Sequence, residues 1–204
     1  MNMRQDLPPG KLRREELYPL EKYAQIRNEF RDKVMAHKKN RQIQVGPHAR
    51  LYFEDKLTIQ YQIQEMLRAE RVFEAAGIEE ELEAYNPLIP DGSNWKATFM
   101  IEYDDVGERQ QALARMTHIE DRVWVQVGNH ERAWAIADED MDRTNDEKTS
   151  AVHFLRFEFT PPMISAAKED APIAIGIDHD AYRWQMDSLS PEIHKALVKD
   201  FCEN

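Results

Sequence analysis

Across residues 20–39 the apolar side chains Tyr23, Ile26, Phe30 and Val34 recur at three- and four-residue intervals, and the segment runs into the basic stretch 37–41. That spacing predicts an amphipathic helix whose terminal cations favour its dipole. Residues 51–73 carry the longest helical signal. Placed at about 100° per residue, residues 56–76 put Ile59, Ile63, Met66, Leu67 and Phe73 on one side and Tyr61, Ala69, Val72 and Ala76 on a second strip. A helix apolar on two sides is mostly buried; Glu54 and Asp55 stand at its N-cap and Gly77 at its end. Glu70 falls within the first side and Glu65 within the second strip. A buried carboxylate costs on the order of several kcal/mol unless it is paired, hydrogen-bonded, protonated or metal-bound, so both acids need partners. Arg68, Arg71 or a strand arginine would make structural ion pairs of them, and a functional carboxylate is the alternative.

The period then changes. Residues 42–45 and 51–53 flank Gly46-Pro47-His48, which suits a hairpin, and an acidic helix over IEEELEAY stops before Pro87. YNPLIPDGSNW is turn-dense, a connector or a binding lip. Ala97, Phe99, Ile101 and Tyr103 alternate with polar neighbours, followed by a helix over 108–116. Residues 122–127 and 132–137, joined by Gly-Asn-His-Glu, predict a second hairpin. Residues 152–159 alternate with His153, Leu155, Phe157 and Phe159 on one face and further apolar residues on the other, the pattern of a central strand. A short helix from Pro161, a strand over 172–177 and a helix from Pro191 close the chain. The expectation is an α+β fold: a flexible arm over residues 1–17, then a single domain over 18–204, an antiparallel-rich sheet with the long buried helix packed on it.

Composition narrows the function. The chain has 204 residues and a net charge of -11, which opposes general nucleic-acid binding or an anionic membrane surface. The one cysteine, Cys202, cannot make an intrachain disulfide, and no run approaches the roughly 20 apolar residues of a membrane span, so the expectation is a reduced cytoplasmic setting. The phosphate loop, the dinucleotide fingerprint, the nucleophile elbow, His-Glu-x-x-His and paired Glu-x-x-His motifs are all missing. DEDMDRTNDEKT begins like a calcium loop but has Arg143 where glycine belongs and Thr149 where the bidentate glutamate belongs. Its plainer reading is a solvated turn or helix cap; the KLRR run reads as solvated charge, and HKKNR as helix capping and solvation with anion binding as the alternative.

His153 is the histidine that strand alternation buries, and a central strand packed against the long helix would bring its ring toward Glu65 or Glu70. His37, His48, His118, His130 and His194 lie in turns or at helix ends and are most simply exposed. His179, in Asp-His-Asp after a strand, and Glu102 could reach the same cavity. A Glu65, Glu70, Glu102, His153 and His179 set would suit zinc, iron or manganese.

MAHKKNRQIQVGPHARLYFEDKLTIQYQIQEMLRAERVFEAAGIEEELEAYNPLIPDGSNWKAT, ADEDMDRTNDEKTSAVHFLRFEF and GIDHDAY resemble the bacterial family called domain of unknown function 3501. The resemblance spans the chain from about residue 17 and carries no activity. It implies a cytoplasmic protein encoded beside a rubrerythrin-like protein and an iron-sulfur oxidoreductase. An accessory or binding protein near peroxide or electron-transfer metabolism follows from that context; Trp95, Trp124 and Trp134 are aromatics that could serve its contacts, although core packing is the default for each. A metal-dependent enzyme or metal-binding protein using the Glu/His set is the alternative.

Overall fold

The computed structural model describes residues 10–145 and 147–201. They form two compact units, one from residues 10–39 and 54–91, the other from 40–53 and 92–201.

The first unit is helical. Helix α1 (Leu20–Lys38) buries Tyr23, Phe30 and Val34 at the spacing expected of it. Helix α2 (Lys56–Glu70) starts from a capping box: the Asp55 carboxylate accepts the Thr58 N–H (2.9 Å) and the Asp55 N–H donates to the Thr58 hydroxyl (2.9 Å). It buries Ile59, Ile63 and Leu67 against Leu12, Leu17, Leu82 and Ile89. The helix ends six residues before the end of the hydrophobic pattern. Arg71 turns left-handed (φ 56°), and the Val72 N–H closes back on the Leu67 carbonyl at 2.9 Å, a Schellman-type stop made without glycine. Gly77 therefore lies inside helix α3 (Ala75–Tyr85), and Phe73, drawn off the wheel, is 64% exposed.

Residues 1–9 and Cys202 lie outside the described residues, but residues 10–17 are a strap. Leu12 is buried, its N–H donates to Asn86 Oδ1 (2.8 Å) and its carbonyl accepts from Asn86 Nδ2 (3.0 Å). The turn-dense segment after α3 is what holds this strap.

The second unit carries two sheets around one apolar core. The first has the order β1 (Gln42–Val45), β2 (Ala49–Glu54), β3 (Asn94–Ile101), β7 (Val152–Glu158), β6 (Ile136–Ala137). The second has the order β5 (Ala133–Trp134), β4 (Val123–Val127), β8 (Ile173–His179), β9 (Tyr182–Met186). The pairings β1–β2, β3–β7, β6–β7, β4–β5, β4–β8 and β8–β9 are antiparallel, and with helices α4 (Val106–Arg115), α5 (Pro161–Lys168) and α6 (Pro191–Val198) the fold is α+β.

The expected second hairpin is divided between the sheets. Trp134 pairs with Trp124 of β4, whereas Ile136 pairs with Arg156 of β7, so the extended run 133–137 changes partners at the buried Ala135. Arg41, from the basic run read as solvated, is buried instead: it donates to the Phe53 and Ala196 carbonyls and pairs with Asp200.

Candidate functional site

Strand alternation does what it forecast for His153. On β7, opposite Phe99, the ring is 0% exposed and both nitrogens are engaged. Nδ1 donates to Asp138 Oδ2 at 2.6 Å. Nε2 lies 2.9 Å from the Thr149 hydroxyl, 3.0 Å from the Ser150 carbonyl and 3.7 Å from Glu120 Oε2.

Asp138 reaches the ring because β6 stops there. Ile136 and Ala137 pair with Arg156 and Leu155, and the Asp138 N–H still donates to the Phe154 carbonyl (2.9 Å). Its backbone then turns left-handed (φ 49°), a conformation aspartate tolerates, and the Phe154 N–H passes to Asp138 Oδ1 at 2.9 Å. One carboxylate oxygen thus continues the ladder and the other meets the histidine. Arg143, at 3.2 Å from Oδ1 and with its guanidinium 4.7 Å from the Phe154 ring centroid, covers the pair.

Glu120 comes from a 3₁₀ turn (Ile119–Arg122) leading into β4 and is buried. Thr149 donates to its Oε2 at 3.1 Å, and the Thr144 hydroxyl bonds both Glu120 and Thr149. The carboxylate belongs to two groups whose ligand atoms lie within 4.8 Å of one another: Glu120 with Asp138 and His153 inside, and Glu120 with His118 and Asp121 at the surface. The outer group opens on a polar cleft of about 350 Å³. Burial pushes the Asp121 carboxyl above its ordinary range, and Glu120 adds to the effect.

The other sequence candidates lie elsewhere. Glu65 is a structural ion pair: Arg27 of α1 holds it through Nε (2.8 Å) and Nη2 (2.6 Å), and the Tyr23 hydroxyl donates at 2.7 Å. Glu70 is exposed at the last position of α2, a correction to its expected burial that follows from the helix stopping at Arg71. Glu102 is exposed, bound by Arg50 and Tyr52. His179 is satisfied by backbone groups: Nε2 lies on the carbonyl of Thr117, 62 residues earlier in the chain, and Nδ1 accepts the Ala181 N–H of its own turn. Glu65 and Glu70 lie in the first unit and His153 in the second. Not all the turn histidines are exposed, since His37 lies 2.5 Å from Asp55 and His194 is largely covered.

Asp138, Arg143 and Thr149 were visible in the acidic run weighed as a calcium loop, and the missing signal was that this run returns to β7. Nothing in the sequence marks Glu120, which a turn delivers. Of the tryptophans, Trp95 and Trp124 are buried, while Trp134 and Trp184 are 40% and 49% exposed.

The model of the family described as "Protein of unknown function (DUF3501)" matches residues 11–201. The chain belongs to this family. A crystal structure described as a novel protein of unknown function from Burkholderia pseudomallei K96243 is 48% identical to this DUF3501 protein, covers 94% of this chain and 100% of its own, and superposes with a TM-score of 0.90. No curated protein matches the chain. No helix among the described residues is long and apolar enough to cross a membrane.

Proposed function

We propose that this DUF3501 protein is a metal-binding accessory protein, its cation held between His153 Nε2 and the Glu120 carboxylate while Asp138 fixes the ring. The observation that carries the reading is the set of atoms around a fully buried imidazole: oxygen at Nδ1, and only oxygens at Nε2. A carbonyl such as that of Ser150 can only accept. A neutral ring whose one proton is on Nδ1 would turn a bare lone pair toward it, with the Thr149 hydroxyl as the one group there able to donate, whereas a positive centre beyond Nε2 would suit the Ser150 carbonyl and the Glu120 carboxylate as well. A metal ion supplies that centre with Asp138 as the outer carboxylate that orients a ligating histidine. A second ring proton is the competing occupant.

The spacing supports an ion. Two ligands about 2.1 Å from a tetrahedral ion stand about 3.4 Å apart, a few tenths of an ångström inside the 3.7 Å between Nε2 and Glu120 Oε2. With Thr149 Oγ1 and the Ser150 carbonyl the place offers one nitrogen and three oxygens, a donor set for zinc, iron or manganese. Because the donors are enclosed, the ion would be stored or structural rather than offered to a substrate. The context implied by the family resemblance supports a role beside a rubrerythrin-like or iron-sulfur partner, and a pull-down from the native host tests that part separately.

The metal itself is tested by elemental analysis of protein purified without an affinity tag, compared with His153→Gln and Glu120→Gln. The expected result is about one zinc, iron or manganese per chain, lost in both variants, with a lower Tm after chelation. Metal-free protein whose Tm ignores all three ions would end the proposal.

A further inference from the structure

The second sheet ends at β9, which pairs with β8 alone. Hydrogen-bond directions alternate along a strand, and the Gly128 N–H donating to the Pro172 carbonyl (2.8 Å) shows that the even-numbered residues of β8 serve β4. Its odd-numbered residues therefore serve β9, through Tyr182, Trp184 and Met186. The N–H and carbonyl groups of Arg183 and Gln185 point the other way, and no described residue bonds them.

The side chains show the same open flank. On the outer face, Trp134, Trp124, Gly176 and Gln185 stand in one row across β5, β4, β8 and β9, with the Trp124 indole lying low over Gly176 and Gln185 ending the row at the edge. On the inner face, Trp184 stands opposite Ile177 and two residues after Tyr182, both of them buried. Trp184 itself rests on Gly46, where a Cβ would fall 2.6 Å from its Cγ, yet it is 49% exposed, because on its edge side the sheet offers no neighbour. An open strand edge carrying a half-covered indole is a template for another strand.

The strand is complementary to itself about Gln185. Laid antiparallel on a second copy with Gln185 on a twofold axis, Gln185 exchanges main-chain hydrogen bonds with its own copy, Trp184 comes opposite Met186 on the inner side, and Arg183 comes opposite Asp187 on the outer side. The first pair covers the indole with a thioether, and the second joins opposite charges. Arg183 has the capacity for it: Nε donates to Asp178 (2.8 Å) and Nη2 lies 3.4 Å from Asp180, while Nη1 has no partner among the described residues and the side chain is 68% exposed. Asp178 is also shared with Arg132, at 3.7 Å. Asp187 is held toward the strand by Gln185 Nε2 at 2.8 Å.

We propose that β9 is a dimerisation edge, two copies of the chain joining their second sheets β9 to β9, antiparallel about Gln185. A second copy fits better than a strand of another protein because one sequence supplies both halves of each pair. The inference does not depend on the His153 cluster.

Sedimentation equilibrium of the full chain from about 1 to 200 μM tests it, with a dimer Kd below about 100 μM expected. Gln185→Pro removes an N–H that β8 does not use, so the fold should survive while the dimer weakens by at least about tenfold. Arg183→Asp sets acid against acid on both sides of the axis and should weaken the dimer by about tenfold or more; adding Asp187→Arg should bring the Kd back to within about threefold of the parent. Oxidation of Gln185→Cys in a Cys202→Ser background should lock the dimer through a disulfide at the axis. Where Gln185→Pro does not fold, the exchanged charges and the disulfide decide. A chain that stays monomeric at about 200 μM would overturn the proposal and leave the edge to a strand of another protein. So would a dimer that neither Gln185→Pro nor the charge reversal weakens, since it would use another face.

Discussion

Replacing Gly176 with alanine puts the geometry of the tryptophan row to the test. The added methyl carbon would stand 2.4 Å from Trp124 Cζ2, 2.6 Å from Cε2 and 3.0 Å from Nε1, whereas carbon atoms rest about 3.5–4.0 Å apart. The indole would have to rise by about 1 Å, yet Trp124 is 3% exposed and carries Arg132 on its other face. Overpacking of this kind costs about 1–3 kcal/mol, and a disturbed cation–π stack adds about 0.5–1 kcal/mol. The lower entropy of the unfolded alanine chain returns about 0.4–1 kcal/mol. The net expectation is a loss of about 1–3 kcal/mol, or about 2–12 °C in Tm for a chain of this size. Urea unfolding followed by tryptophan fluorescence measures it. A double-mutant cycle with Trp124→Leu isolates the clash, and the alanine penalty should fall by at least half once the indole is gone. Stability within about 0.5 kcal/mol of the parent, or an equal penalty in the leucine background, would refute the reasoning.

Other outcomes follow from the same contacts. The Arg27 hydrogen bonds, with a smaller contribution from Tyr23, outweigh burial and hold the Glu65 carboxyl below its usual range. A depressed folded value stabilises the protein above the unfolded pKa and is lost as pH falls through the folded one. Between about pH 6 and pH 3 the parent should therefore lose more Tm than Glu65→Gln, and parallel profiles would show that the pair contributes nothing. Arg41→Met leaves the Asp200 carboxylate in a buried site without its guanidinium and should cost about 3–5 kcal/mol by chemical denaturation; a cost below about 1 kcal/mol would mean Asp200 is already solvated. Asn86→Ala removes both bonds to the Leu12 backbone, so limited proteolysis should cut near residues 10–17 at least several-fold faster, and an unchanged rate would show that Leu12 burial alone fixes the strap.

Periodicity reported local geometry faithfully and partners poorly. The alternation over β7 placed His153 on the buried face because side-chain direction in a strand depends only on position parity. The same alternation over residues 133–137 could not disclose that Trp134 and Ile136 pair with different sheets, since both halves are simply extended. The wheel for α2 failed at its last turn for a backbone reason: Arg71 adopts a left-handed conformation that nothing in its side chain announces, and Glu70 thereby becomes a terminal, exposed residue. β9 was not foreseen at all, although Tyr182, Trp184 and Met186 alternate with Arg183 and Gln185; the run is five residues long and lies at the edge of its sheet. In the candidate site, Asp138 reaches His153 across the β6–β7 pairing and Glu120 through a 3₁₀ turn 33 residues upstream of it, separations that only the closed sheets bring together.

The central claim concerns one point in space, so locating an ion there is the most direct test. Crystals of the full chain grown with zinc, measured at the zinc absorption edge, should give an anomalous peak about 2.0–2.2 Å from both His153 Nε2 and a Glu120 carboxylate oxygen, with Asp138 still bonded to Nδ1. A peak confined to His118 and Asp121 at the cleft, or no peak beside His153, would contradict the account and leave the ring as a hydrogen-bonded core histidine.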